Sequence, residues 1–570
     1  MAFATVHDRY TDEQIARFHE QGLWTDETLF AMIEKQADRQ PDKVFGTDST
    51  TEITYGQLRE RVLALSVGLR RRGIGPGDRV AVQLPSWTEF FVISAAIARI
   101  GAVIVPIMPI YRREEVGFIL ETANVKAAFT ASTYRGFDHA RMFADLRADW
   151  PLLETIVVVR REGDLVSGAV DFEDLLVDLS REEADAEIGT GVGPDEPFVV
   201  VFSSGTTSRP KGCLHTFNTM ACGARLLGRG WNYTEADVQF GPSPVTHTTG
   251  LVTSYLLPLA HGAASHLMDR WEPKEGLERI AKFKCTACVS ATTFLQMLLD
   301  VYDPEVHDAS SMRFWTSAGA PIPGSFVEAG RAAIPNMAVL SLYGRTENIT
   351  TTMCTLDDDP SRSVTSDGQA LPLQEVAIVD EAGNEVPRGE EGDIAYRGAM
   401  NCLEYIGQPD ETAANYTPSG FHRSGDLGRM DADGYVRVTG RLKDIVIRGG
   451  MNISVRAVED ALASRPDVSQ VALVAMPDAY LGEKVCCYLV MHEGQPELTL
   501  EEMRDFLLGE GMAIQKVPER LEIVDALPTT ATGKIQKHVL RADIAAKLEA
   551  GGMAAPRHAT SVSAQQAEAV

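Results

Sequence analysis

Basic residues are scarce in this chain: Lys and Arg number 53 against 80 Asp and Glu, a formal charge of -27 at pH 7. That deficit argues against nucleic acid or an anionic membrane as the main partner, because both are gripped chiefly by Lys and Arg. A nucleotide is not excluded, since it needs only a local cationic pocket and a divalent metal. Long apolar runs are also missing. The most apolar segment, Phe90 to Ile110, is broken by Arg99, Gly101, Pro106 and Pro109, which fits a buried helix, a turn and a strand better than a membrane span. The opening MAFATVHDRYTDEQ shows no basic stretch followed by an apolar one, so no signal peptide is expected. Eight cysteines in 570 residues are too few for a disulfide framework. Cys285 and Cys288 form a CxxC with no second pair at zinc spacing, and they and the adjacent Cys486 and Cys487 read as core residues. A reducing, cytoplasmic compartment is the expectation. No period of roughly 20 to 50 residues repeats, which excludes a solenoid.

What is present is an ordinary globular composition, 44% hydrophobic and 23% charged, in a chain long enough for more than one domain. An aromatic opening, FHEQGLW, precedes a helix expected around Thr28 to Ala37. Glu52 to Leu58 reads as a short strand entering a helix. Strand-like runs then alternate with helical ones: Arg79 to Leu84, a helix over Thr88 to Ile100, Val103 to Pro106, a helix after Arg112, Lys126 to Ala131, and Thr155 to Val159. This alternation predicts α/β layers with parallel strands. RRGIGPGD, with Gly73, Gly75 and Gly77, precedes a strand and reads as a turn, not a nucleotide loop. The closing GGMAAPRHATSVSAQQAEAV has no hydrophobic period and reads as a disordered tail.

The chain is organised around VVVFSSGTTSRPKG, Val199 to Gly212. A β-branched strand empties into Ser203, Ser204, Gly205, Thr206, Thr207 and Ser208 before Pro210 and Lys211. Small residues let backbone N–H groups approach a phosphate chain, hydroxyls donate to its oxygens, and Lys211 adds a charge. G-x-x-x-x-G-K-S/T cannot be laid over it, so it is not a Walker A loop. It resembles the phosphate loop of the adenylate-forming superfamily of acyl-CoA ligases, acyl-adenylating enzymes and luciferases, usually T-S-G-T-T-G-x-P-K-G. Ser203 stands at the leading threonine and Ser208 at a usual glycine.

Further stations follow in the family's order. PSPVTHTTG carries His247, which the resemblance places in H-x-x-G beside the reacting carboxylate. Thr248 and Gly250 border the same pocket. Val245 and Thr246 offer no carboxylate for a substrate ammonium, which favours a plain acid over an amino acid. SAGAPIP supplies Ser317, Ala318 and Gly319 as pocket wall, and Gly319, Ala320 and Pro321 as the adenine turn. In YGRTE, Tyr343 can stack on adenine beside Gly344 and Thr346, and Glu347 is a hard oxygen ligand for Mg²⁺. Asp426, in Ser424-Gly425-Asp426, suits the ribose hydroxyls, and Arg441 the ribose or phosphate side. Lys443 is the implied hinge. RGGMNISVRAVE resembles G-G-E-N-I-x-P-x-E-V-E, with Met451, Val455 and Ala457 as departures. Its Gly449 and Gly450 would let a pantetheine arm pass. LPTTATGKIQK presents Lys534 at the position of the catalytic lysine, with Lys537 where arginine is usual.

The resemblance spans about Leu29 to Leu540 and is closest in flavour to cyclohexanecarboxylate-type and medium-chain acyl-CoA ligases. It implies an α/β fold: a large multi-sheet N-terminal domain, residues 1–442, hinged to a small mobile α+β domain, residues 443–545, with a disordered tail over 546–570. It further implies ATP and Mg²⁺, with Glu347 and Thr207 near the metal. A hydrophobic, non-amino acid, alicyclic or polycyclic groups included, would be converted to acyl-AMP with Lys534, His247 and Thr206 at the reacting centre. Coenzyme A would then accept the acyl group. The alternative acceptor is a carrier-protein phosphopantetheine, a luciferase-like oxidation of the adenylate is a weaker variant, and a catalytically silent nucleotide-binding module is a distant reading. The expected assembly is a monomer or a homodimer, without nucleic acid and without a membrane span.

Overall fold

The computed structural model describes residues 3–189, 191–203, 210–319, 322–448, 451–530 and 533–550. The chain divides into two units. One comprises Met1–Ser424, Gly428–Val438 and Ala531–Lys534; the other Gly425–Leu427, Thr439–Thr530 and Ile535–Val570. Lys534 thus groups with the first unit.

Among the described residues the first unit holds two large sheets. One runs in the order Glu404–Tyr405, Gly212–Thr216, Pro197–Phe202, Val103–Pro106, Arg79–Gln83, Val125–Ala131, Thr155–Val159, Ala169–Asp171. From Pro197–Phe202 onward its strands are parallel, and the opposite edge is antiparallel. The second runs Gln369–Ala370, Thr352–Met353, Ala338–Tyr343, Phe314–Ala318, Ala287–Ala291, Val238–Gly241, Ala264–Leu267, Val44–Thr47, Glu52–Thr54. It is parallel from Ala338–Tyr343 to Val44–Thr47. Strands covered on both faces read as unbroken apolar runs, and every residue of Val103–Pro106 and Phe314–Ala318 is buried.

Local chemistry sets the element ends. Thr54 closes the strand Glu52–Thr54 and caps the helix Tyr55–Arg71: its hydroxyl accepts the Gln57 N–H at 3.2 Å, and the Gln57 side chain accepts the Thr54 N–H at 2.9 Å. This reciprocal pair is a capping box. Gly73 and Gly77 sit at φ +76° and +77°, which glycine adopts without a Cβ clash, so RRGIGPGD is the turn its spacing predicts. All eight cysteines are buried and free, as core residues should be.

Parallel strands deliver their following loops to one edge of a sheet, the usual place for ligands in such folds. Ser203, Pro242, Gly319 and Gly344 each come directly after such a strand.

The second unit contains the strands Val446–Arg448, Met451–Ile453, Val468–Asp478, Gly482–Met491 and Arg520–Ile523. The helices Arg456–Ala463, Leu500–Gly509 and Lys537–Ala550 accompany them. The last helix corrects the expected tail. Residues 546–550 are helical because Leu540, Ile544 and Leu548, at four-residue spacing, bury one stripe with Tyr488 and Ala472. Residues 551–570 lie outside the described residues. No described helix is long and apolar enough to cross a membrane.

Candidate active site

Pro197–Phe202 and Gly212–Thr216 pair antiparallel, with Phe202 opposite Gly212. The Ser203 N–H donates to the Lys211 carbonyl at 2.9 Å, and the Lys211 N–H to Ser203 Oγ at 3.4 Å. The two ends of the loop are therefore held together. Ser204, Gly205, Thr206 and Thr207 lie outside the described residues, as do Ala320, Pro321, Gly449 and Gly450. The Lys211 ammonium pairs with the Glu411 carboxylate and lies 5.0 Å from the centroid of the Tyr405 ring.

Glu347 is buried. The Tyr405 hydroxyl donates to its Oε1 at 2.9 Å, and Arg345 reaches both carboxylate oxygens at 3.4 Å. Burial alone would raise its pKa; Arg345, His422 and the Tyr405 hydrogen bond outweigh burial and bring it down to about 2. The carboxylate is therefore ionised at neutral pH. Its main chain is equally fixed: the Cys402 N–H donates to the Glu347 carbonyl, and His215 Nε2 to that of Thr346, both at 2.7 Å. Gly344 is required here, since a Cβ would lie 2.1 Å from the Ile349 carbonyl oxygen. Ile349, a β-branched residue, is held at φ +61°, a conformation that costs of order 1–3 kcal/mol. Tyr343 closes the preceding strand, its carbonyl accepting the Thr351 N–H at 2.8 Å. Sequence reasoning singled out Glu347 but missed Arg345, Tyr405 and His422. Arg345 was readable inside YGRTE, whereas the other two arrive from distant strands.

His247 is the N-cap of the helical turn beginning at Thr248, and its Nδ1 accepts the Thr249 N–H at 3.3 Å. The ring proton of the neutral form is then on Nε2. Burial, with the nearby Lys534 charge, takes the pKa down to about 3, so the imidazole is neutral. Gly250, expected to border the pocket, has a close steric reason of its own. A Cβ there would stand 2.2 Å from the Pro244 carbonyl oxygen, so this glycine permits two backbones to pack.

Gly319 has φ +75°, and its Cβ position lies 3.0 Å from Lys534 Cε and 3.4 Å from Nζ. The absent side chain is thus the space the lysine occupies. Gly533, at φ +77°, packs so closely that a Cβ would meet Thr293 Oγ1 at 2.2 Å, and that hydroxyl donates to the Gly533 carbonyl at 3.4 Å. Ser317 and Ala318 point to opposite faces of their strand. Ala318 joins the main core, while Trp315, on the Ser317 side, packs with Phe240 and Phe294. Only one of the two can face any one pocket. Thr248 Oγ1 and Ser317 Oγ are buried with no hydrogen-bond partner among the described residues.

In the second unit Asp426 is buried, and Arg441 Nε lies 3.0 Å from its Oδ1. The preceding Gly425 has φ +72°. Lys443 occupies the 3₁₀ turn Leu442–Asp444. Of the motif departures, Met451 and Ala457 are exposed, and Val455 is a core residue. Lys537, where arginine is usual, pairs with Glu459 at 2.7 Å.

A buried, ionised carboxylate is a hard oxygen donor of the kind Mg²⁺ takes. No cluster of three His, Cys, Asp or Glu capable of holding a metal occurs among the described residues. Glu347 therefore suits an ion that draws its other ligands from phosphate and water.

The AMP-binding enzyme family model matches residues 33–406, and that of the AMP-binding enzyme C-terminal domain matches 457–534. The chain is 35% identical over 543 residues to the medium-chain fatty-acid–CoA ligase of Escherichia coli (strain K12), covering 95% of this chain and 94% of the relative. It is 33% identical to a methyl-dioxo-octahydro-indenyl-propanoyl:CoA ligase of Rhodococcus jostii (strain RHA1), over 87% of this chain and 94% of that one. The crystal structure of the anthranilate CoA ligase AuaEII with anthranoyl-AMP superposes with a TM-score of 0.83 at 26% identity, over 93% and 98% of the two chains. Large N-terminal and small C-terminal matches in this order, over nearly the whole length, establish that the chain belongs to the adenylate-forming superfamily of AMP-binding enzymes.

Proposed function

We propose that this enzyme uses ATP to convert a hydrophobic, non-amino carboxylic acid to acyl-AMP and then passes the acyl group to the thiol of coenzyme A. The observation that carries this reading is the placement of Lys534 beside Gly319, close enough to neutral His247 for its charge to depress that imidazole. An ammonium there can neutralise two anions that must meet, the substrate carboxylate and the α-phosphate.

In the first half a carboxylate oxygen attacks the α-phosphorus, the bond to the β-phosphate oxygen breaks, and pyrophosphate leaves. A carboxylate is a weak nucleophile towards a polyanion, so catalysis rests on positioning and charge neutralisation. Lys534 bridges the two reactants, and His247 presents Nε2–H near the carboxylate. Thr206 and its loop neighbours Ser203, Ser204, Gly205, Thr207 and Lys211 hold the phosphates. Glu347 and Thr207 would hold Mg²⁺, which supplies screening of phosphate charge when bound. Tyr343, Gly344, Thr346 and the Gly319–Pro321 turn take the adenine side; Asp426 and Arg441 take the ribose. Val245 and Thr246 are buried and carry no acid, which supports a substrate without an ammonium group.

In the second half the thiol sulfur attacks the acyl carbon, the acyl–oxygen bond breaks, AMP leaves and the thiol proton passes to solvent. Gly449 and Gly450 serve the thiol side, and Lys443 is the hinge. The names of the similar ligases support CoA as acceptor.

The test is mass spectrometry of enzyme with ATP, Mg²⁺ and a panel of carboxylic acids, with and without CoA. Acyl-AMP that becomes acyl-CoA supports the reading. Acyl-AMP that persists with CoA points to a carrier protein, and no adenylate from a wide panel returns the silent module.

A further inference from the structure

The segment Ala4–Trp24 precedes residue 33, where the family match begins, yet it is bonded to the ribbon that holds Glu347. Trp24 Nε1 donates to the Ala399 carbonyl at 2.9 Å, the Tyr10 hydroxyl to that of Asn401 at 2.6 Å, and Arg9 Nε to that of Leu403 at 3.3 Å. The Ala4 N–H donates to Glu404 Oε1 at 2.9 Å. Three carbonyls two residues apart, those of Ala399, Asn401 and Leu403, in the turn and bend that lead into the strand Glu404–Tyr405, are thus taken by one segment. The donors are themselves fixed. Tyr10, Phe18 and Trp24 are buried and pack at centroid distances of 5.2 to 5.7 Å, and the Arg9 guanidinium lies over the Tyr416 ring at 3.9 Å.

The same ribbon faces Glu347 with its other groups. The Cys402 N–H donates to the Glu347 carbonyl, and the Tyr405 hydroxyl to its carboxylate. The Leu403 and Ile406 N–H groups tie the ribbon to the phosphate-loop hairpin through the Leu214 and Gly212 carbonyls, at 2.8 and 2.9 Å. We propose that the N-terminal segment is a positioning element for Glu347: Tyr10, Trp24 and Arg9 fix the 399–405 ribbon, which fixes the carboxylate through Cys402 and Tyr405. This rests on the reading that Glu347 holds the metal of MgATP.

Supporting partners of a metal ligand commonly matter about tenfold or more in affinity. The double variant Tyr10→Phe/Trp24→Phe deletes two donors and keeps an aromatic ring at each buried position; Arg9→Met, at a half-buried position over the Tyr416 ring, deletes the third and keeps an unbranched apolar stem there. Two readouts need no turnover: calorimetric MgATP affinity across a Mg²⁺ series, and amide hydrogen exchange over 402–406 in the protein alone. Both variants are expected to weaken MgATP about tenfold, to raise the Mg²⁺ needed for half-saturation, and to speed exchange at those amides, while KM for the carboxylic acid is unchanged. Unchanged MgATP affinity in the arm variants, with Glu347→Gln weakened, overturns the proposal while sparing the metal reading. A Glu347→Gln variant with wild-type Mg²⁺ dependence overturns the metal reading, and the proposal with it.

Discussion

Gly319 and Lys534 share one space: the position of the missing Cβ is 3.0 Å from Lys534 Cε, and the backbone there turns at φ +75°. Gly319→Ala therefore strains the backbone by about 1 kcal/mol and pushes the ammonium from its seat. The expected result is a modest fall in melting temperature and a loss of about 10- to 100-fold in pyrophosphate release, equivalent to about 1.4–2.7 kcal/mol of barrier. Adenylation at the wild-type rate would show that the lysine does not work from this position.

Gly533 makes a second steric prediction. A Cβ there meets Thr293 Oγ1 at 2.2 Å, so Gly533→Ala should impair adenylation by displacing Lys534. Thr293→Ala removes the clashing atom but not the strain at φ +77°, so the double variant should recover part of the loss. A double-mutant cycle reads this directly; strictly additive losses would argue against the contact.

These two glycines show what the sequence could and could not reveal. Val103–Pro106 and Thr155–Val159 have the ends their β-branched runs predict, and RRGIGPGD turns where its glycines allow. Those signals are local. The reason for Gly250 is a carbonyl across a turn, that for Gly319 a lysine 215 positions further along the chain (534 minus 319), and no periodicity encodes either. The same holds for Glu347, whose motif was legible. Arg345, within the motif, does most to hold its pKa down, but His422 and Tyr405, which add to that, are brought to it by strands later in the chain. The loop from Ser203 to Lys211 was legible only as a motif, since Ser204, Thr206, Thr207 and Ser208 lie outside the described residues.

His247 predicts a pH effect of defined sign. Its pKa is about 3 in the fold against 6.5 ordinarily, so the unfolded chain binds the proton more readily, and stability present above pH 6.5 is lost as pH falls towards 3. His247→Asn keeps a side-chain acceptor for the cap and removes the titration. The variant's stability should fall less steeply than wild type across that window, by up to about 1.4 kcal/mol per pH unit. Parallel curves would show that His247 titrates normally.

Asp426 and Arg441 predict a nucleotide-side effect. Asp426→Asn removes the charge facing Arg441 at 3.0 Å and weakens acceptance of the ribose hydroxyls. KM for ATP should rise about 10-fold or more, since hydrogen bonds to charged groups contribute about 1.5–3 kcal/mol, with KM for the acid little changed. An equal rise in both would mean that the pair shapes the whole site and not the ribose pocket.

The central claim is that Lys534 serves the first half-reaction and not the second, and Lys534→Ala tested on the two halves separately addresses it most directly. With ATP and acid, acyl-AMP formation should fall by at least about 100-fold, more than 2.7 kcal/mol of barrier. With supplied acyl-AMP and CoA, thioester should form at close to the wild-type rate. Equal loss in both halves, or none in the first, would contradict the account.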